Sequence, residues 1–117
     1  MAPGDELKAA LEDFAARANE NTAVRKMLKE WTRNIHLDVA DTGETFTLIV
    51  ENGWVTAVLP VAQPPKDIAL MAPADTLIGI FRGRLNPMAE FSAGRLKFVG
   101  SAKDEMRLDA VVDVIWK

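Results

Sequence analysis

Apolar positions along this chain follow a helical period, then an alternating one, then a helical one again, and the switches mark out its elements. From Asp5 to Ala18, residues Leu7, Ala10, Leu11, Phe14, Ala15 and Ala18 recur at spacings of three and four. That is the one-sided stripe of a helix packed on a core. Asn19 and Asn21 interrupt it, and Thr22 to Glu30 resumes the period with Val24, Met27 and Leu28 on one face and Thr22 as cap. From Trp31 the period falls to two: Trp31, Ile35, Leu37 and Val39 are apolar, and Arg33, Asn34, His36 and Asp38 are polar. Such alternation predicts a half-buried strand whose polar side chains, His36 among them, face solvent. Asp41-Thr42-Gly43 turns the chain, and Glu44 to Glu51 predicts a second strand with Phe46, Leu48 and Val50 on one face. Asn52-Gly53 is a two-residue hairpin signal, and Trp54 to Leu59 completes a meander.

Pro60, Pro64 and Pro65 make VAQPPKD a connection that cannot lie inside a sheet, so the chain changes direction there. Ile68 to Met71 is a short strand or lead-in. Pro73 to Phe81 predicts an amphipathic helix stopped by Gly83. A second helix opens at Asn86-Pro87 and is stopped by Gly94, and Arg95 to Val99 is a strand stopped by Gly100. A last helix, from about Lys103 to Ile115, carries Met106, Leu108, Val111, Val112 and Ile115; Ser101 caps it, with Asp104 and Glu105 at its positive end. Consecutive antiparallel strands followed by helices that must cover one sheet face give an α+β, two-layer architecture rather than βαβ units. The chain's 117 residues fit one domain, 1–117, with no repeat or linker.

The run from Gly83 to Gly100 has the form G-x-x-x-P-x-x-x-F-x-x-G-[KR]-[LI]-x-[FIV]-x-G, met here by Gly83, Pro87, Phe91, Gly94, Arg95, Leu96, Phe98 and Gly100. It resembles the sterol carrier protein 2 family of lipid-binding domains, and the GETFTLIVENGWVTAV hairpin upstream agrees, so the likeness extends from about Asp5 to Lys117. The family often has a small apolar residue before the Phe; this chain has Glu90. The resemblance implies a five-stranded mixed sheet with helices on one side and an apolar tunnel between the layers. It implies non-catalytic binding and carriage, or presentation, of a fatty acyl, isoprenoid, phospholipid or sterol-like molecule. Around the tunnel we place Phe46, Leu48, Leu77, Ile80, Phe81, Met88, Phe91, Phe98, Met106, Leu108 and Val112. The competing reading of these residues is an ordinary filled core, which periodicity does not distinguish from a hollow one.

Composition narrows the alternatives. A net charge of -3 argues against a nucleic-acid partner, whose phosphates need clustered Lys and Arg. Zero cysteines remove disulfides, thiolate nucleophiles and thiolate metal sites, in keeping with a cytoplasmic location. MAPGDELKAALEDF is acidic and broken by Pro3 and Gly4, unlike a signal peptide, and no apolar run approaches a membrane span.

Nothing in the pattern predicts catalysis. His36 is the only histidine, and Ser92 and Ser101 sit in no G-x-S-x-G elbow. Gly79, Gly83, Gly94 and Gly100 are too dispersed for a phosphate loop, so neither cofactor nor metal is implied. Gly79 lies inside an apolar helical pattern, where it costs about 1 kcal/mol relative to Ala, so a close helix contact or room for a ligand is expected there. Arg82, Arg84, Arg95 and Lys97 form either a cationic patch for a head group or a solvated rim. Trp116 is expected to be an exposed residue at an interface or a membrane surface, and an accessory-module reading groups it with Trp54 in one apolar patch. That reading has the domain present a lipid or quinone intermediate to partner enzymes. The sequence is compatible with transient membrane contact and with a homodimer.

Overall fold

The computed structural model describes residues 3–116; Met1, Ala2 and Lys117, the ends of the expected 1–117 domain, lie outside them. The elements run α1 (Pro3–Glu20), α2 (Thr22–Met27), β1 (Arg33–Val39), β2 (Thr45–Glu51), β3 (Trp54–Leu59), β4 (Ile68–Ala72), α3 (Ala74–Phe81), α4 (Pro87–Ser92), β5 (Lys97–Val99) and α5 (Ala102–Ile115). The sheet is five-stranded and mixed, in the order β3-β2-β1-β4-β5, with β1 and β4 parallel and the other pairs antiparallel. The expected α+β architecture is present.

Register explains which side chains share a face. Ile35 pairs with Leu48 and Ile68, Leu37 with Phe46 and Leu70, and Leu70 with Phe98. Alternation then sends Ile35, Leu37, Phe46, Leu48, Ile68 and Leu70 to one side, where they are buried with Leu7, Leu11 and Phe14 of α1 and Leu77, Ile80 and Phe81 of α3. Phe14 and Phe81 meet edge to face at 4.9 Å. α3 buries seven of its eight residues, with Asp75 in its first turn exposed, as befits a helix enclosed by its neighbours.

The second face of the sheet is not left to water. The proline connection crosses it, carrying the chain from edge strand β3 over β2 and β1 to the start of β4. Thr47 donates to Val61 O at 2.7 Å and accepts from the Gln63 amide at 2.9 Å. His36 Nε2 lies 2.8 Å from Gln63 O, and Asn34 Nδ2 donates to Gln63 O and Pro64 O. His36 is therefore buried, not solvent-facing as alternation predicted. The covering segment has no periodicity of its own that would have announced it.

Local chemistry sets the element ends. Asn21, not Thr22, caps α2, its side chain accepting from the Val24 amide at 3.1 Å, and Glu30 at φ 64° ends the turn that follows. Trp31 precedes β1 instead of opening it. Asn52 and Gly53 take φ of 49° and 81°, the positive values the hairpin signal requires. Asn19, which breaks the α1 stripe, donates to Val55 O and accepts from Val55 N, each at 2.9 Å, so its amide stands in for a strand partner on β3. Asn86 caps α4 and Ser101 caps α5 as expected.

Candidate functional site

The helix layer is not filled evenly. Beside β4 and β5, the short α4 and the longer α5 leave a narrow crevice. Its floor is Leu70 and Phe98, one wall is Ile80 and Phe81 of α3, another is Leu108 and Val112 of α5, and Pro87, Met88, Phe91 and Leu96 close it from the α4 side. Met88 and Phe91 are 40% and 42% exposed while lining it, so they form its mouth. Its walls are apolar, as ligand pockets require, and they lie nearly in contact: the space between them is about 20 Å³, against the 300–1,000 Å³ usual for an open ligand pocket.

Of the residues expected around a cavity, the crevice brings together Ile80, Phe81, Met88, Phe91, Phe98, Leu108 and Val112. The other four lie elsewhere. Phe46 and Leu48 are on β2, which β1 separates from β4, so they face the packed end of the core. Leu77 is fully buried one turn before the α3 residues that reach the crevice. Met106 is 69% exposed, because two positions from Leu108 is a rotation of about 200° around the helix. Leu70, Pro87, Leu96, Glu105 and Asp109 line the crevice without having been foreseen. For the last two a signal existed: Glu105, Leu108, Asp109 and Val112 are spaced three, one and three apart, which is one face of α5.

Asp109 stands at a junction. It lines both the crevice and a neighbouring surface groove of about 260 Å³ bounded by Gly83, Arg84, Leu85, Asn86, Asp113 and Trp116. Pro87 and Val112 are likewise shared, so the two spaces meet along one wall. Asp109 Oδ1 is shielded from solvent and has no hydrogen-bond partner among the described residues. Burial, with repulsion from Asp113 second, holds its carboxyl above the usual range, and the Met88 backbone amide pulls the other way without offsetting this.

Other foreseen features resolve into packing. Gly79 has no room for a Cβ, which would come within 2.5 Å of Leu85, so the close-contact reading holds and the ligand-room reading does not. Of the four cations, Arg82 pairs with Asp13 at 3.4 Å and Arg95 grips Glu90 through two bonds of 2.9 and 2.7 Å. Glu90, the departure from the motif, is buried beneath that grip; the Arg95 hydrogen bonds hold its carboxyl below the usual range against the opposing effect of burial. Trp116 is half-buried rather than exposed: its indole donates to Phe81 O at 3.1 Å, Arg17 lies over its ring, and Gly83, at φ 77°, has the ring where a Cβ would be. Trp54 is separately covered by Arg25, 3.2 Å from its ring centre.

Residues 11–113 match the SCP-2 sterol transfer family. The chain belongs to that family. Among solved structures, it is similar to "UbiJ-SCP2 Ubiquinone synthesis protein", at 19% identity and TM-score 0.72 over 92% of this chain and 94% of that one. A crystal structure of sterol carrier protein 2 superposes with TM-score 0.68 at 20% identity over 93% and 95% of the two chains. Palmitated SCP2L2 from Aedes aegypti does so with TM-score 0.67 at 14% identity over 88% and 90%. None of the curated proteins matches the sequence. These likenesses establish the SCP-2 fold, in which no helix among the described residues is long and apolar enough to cross a membrane.

Proposed function

We propose that this SCP-2 domain is a non-catalytic, cytoplasmic carrier that holds the hydrocarbon part of a lipid in the α3–α4–α5 crevice and exchanges it through the Met88–Phe91 mouth. The observation that carries the reading is the crevice itself: contiguous apolar walls from five elements, opening at two side chains that stay exposed. Desolvation supplies the affinity. At about 0.8 kcal/mol per buried methylene, four or five methylenes entering as the exposed Met88 and Phe91 side chains swing outward contribute about 3–4 kcal/mol without directional contacts, which favours breadth in the tail accepted. Membership of a sterol transfer family supports the same assignment.

The reading assigns no reaction to the crevice. Glu105 and Asp109 are the titratable side chains of the crevice, with neither imidazole nor thiol beside them, and His36 is held on the opposite face of the sheet by Gln63. A second reading, presentation of a quinone-type intermediate to partner enzymes, draws on the likeness to the protein described as a ubiquinone synthesis protein. One experiment separates these: native mass spectrometry of the protein isolated from its host, followed by solvent extraction. A near-stoichiometric lipid on a free monomer supports the carrier, whereas a lipid-bearing complex with an enzyme supports presentation. A bare monomer that takes up no added lipid refutes both.

A further inference from the structure

We infer that the ligand of this domain carries an uncharged, hydrogen-bond-donating head group, a hydroxyl or phenol, seated on Asp109 where the apolar crevice meets the polar groove. The assignment deepens the lipid-carrier reading and rests on it. Its starting point is the Asp109 Oδ1 atom, shielded from water yet unpartnered among the described residues. A buried acceptor left without a donor costs free energy that a bound donor would recover. Asp109 lies on the wall shared by the narrow apolar crevice, whose mouth side chains Met88 and Phe91 are exposed, and the larger, polar-rimmed groove.

The sign of the surrounding charge selects the head group. Glu105 joins Asp109 on the crevice wall, and Asp113 joins it on the groove, against the single cation Arg84. Three carboxylates against one guanidinium disfavour a carboxylate or phosphate head at this junction. A hydroxyl suits Asp109 in either protonation state: it donates to the carboxylate and accepts from the carboxylic acid. A carboxylate ligand would suit only the protonated acid.

The test compares decan-1-ol, decanoate and decane by titration calorimetry at about pH 8, using the whole chain and its Asp109→Leu variant, with circular dichroism to establish that the variant is folded. We expect the wild type to bind decan-1-ol about tenfold more tightly than decanoate, the fold-change of one hydrogen bond to a charged group. We expect that ratio to collapse toward one in D109L. Decanoate binding as tightly as decan-1-ol in the wild type overturns the head-group assignment while leaving the carrier reading intact, as does an undiminished ratio in D109L. Failure of all three compounds to bind the wild type overturns the carrier reading itself.

Discussion

The α5 helix treats two of its carboxylates, one in its first turn and one at its middle, in opposite ways. Near its start, Asp104 is 9% exposed and fully served: Trp31 Nε1 donates to Oδ1 at 3.1 Å and Arg33 Nε donates to Oδ2 at 3.0 Å. Burial is the largest single influence on that carboxyl and would raise its pKa, but the Arg33 and Trp31 hydrogen bonds, with the Arg33 charge, outweigh it and hold it below the usual range. Less than two turns on, Asp109 is half-buried; the Met88 backbone amide acts on its carboxyl, Oδ1 has no partner among the described residues, and the carboxyl is held above the usual range. At the Asp104 end, the polar group ties α5 to the segment entering β1, and the neighbouring core is filled. At Asp109, the polar group lies on the wall shared by the crevice and the groove. One helix thus carries an acid with both oxygens bonded and, five residues on, an acid with one oxygen that no donor among the described residues reaches.

The contrast can be broken where packing is densest. Leu11 is completely buried under α3 and the sheet, and Leu11→Ala is expected to cost about 2–5 kcal/mol, measured by urea unfolding. Leu108→Ala, on the crevice wall, removes the same atoms from a side chain that already borders a void; its cost should be about 1–2 kcal/mol. Equal losses at the two positions would mean that the crevice is as tightly packed as the core.

The two acids sharpen it. Asp104→Asn weakens the bonds from Arg33 and Trp31, and about 1–2 kcal/mol of stability should go with them. Because the folded pKa of Asp104 lies below its unfolded value, its contribution is present above about pH 4 and is lost as pH falls through that value toward the folded pKa. Acid unfolding of the wild type should show that loss and the variant should not. Asp109 has the reverse sign. Its folded pKa lies above the unfolded one, so its penalty appears as pH rises past about 4, and Asp109→Asn should leave Tm at neutral pH unchanged or raised. A clear fall in Tm would show that Asp109 is structural.

At the mouth, Phe91→Asp should weaken lipid binding by about tenfold, since the exposed half of the ring contributes desolvated area only when a tail is present. Its effect on Tm should be small. Gly79→Ala should destabilise by about 1–2 kcal/mol in urea unfolding, because the roughly 1 kcal/mol of helix propensity it gains only partly offsets the forced displacement of Leu85.

Most of the element plan was legible in the chain, because periodicity, caps and glycine stops are local. Ser101, Asn86 and the Asn52-Gly53 hairpin act where their sequence context places them. The motif from Gly83 to Gly100 marked the segment that bounds the crevice, and its one departure, Glu90, is answered five residues on by Arg95 within the same motif. The site was legible only in part. Phe46 and Leu48 have the same alternation as the strand residues beside them, and nothing local distinguishes a strand next to the crevice from one two places away.

What the sequence determined by itself is therefore the set of elements, their inward faces and their punctuation, since each depends on residues a few positions apart. Tertiary structure alone decided the rest. Strand order put β4 and β5 under α5, the proline connection buried His36, and Phe81 O with Arg17 drew in Trp116. The same packing left Asp109 between an apolar crevice and a polar groove. These outcomes depend on which surfaces meet across the chain, and hydrophobic burial, being non-directional, carries no local record of its partner.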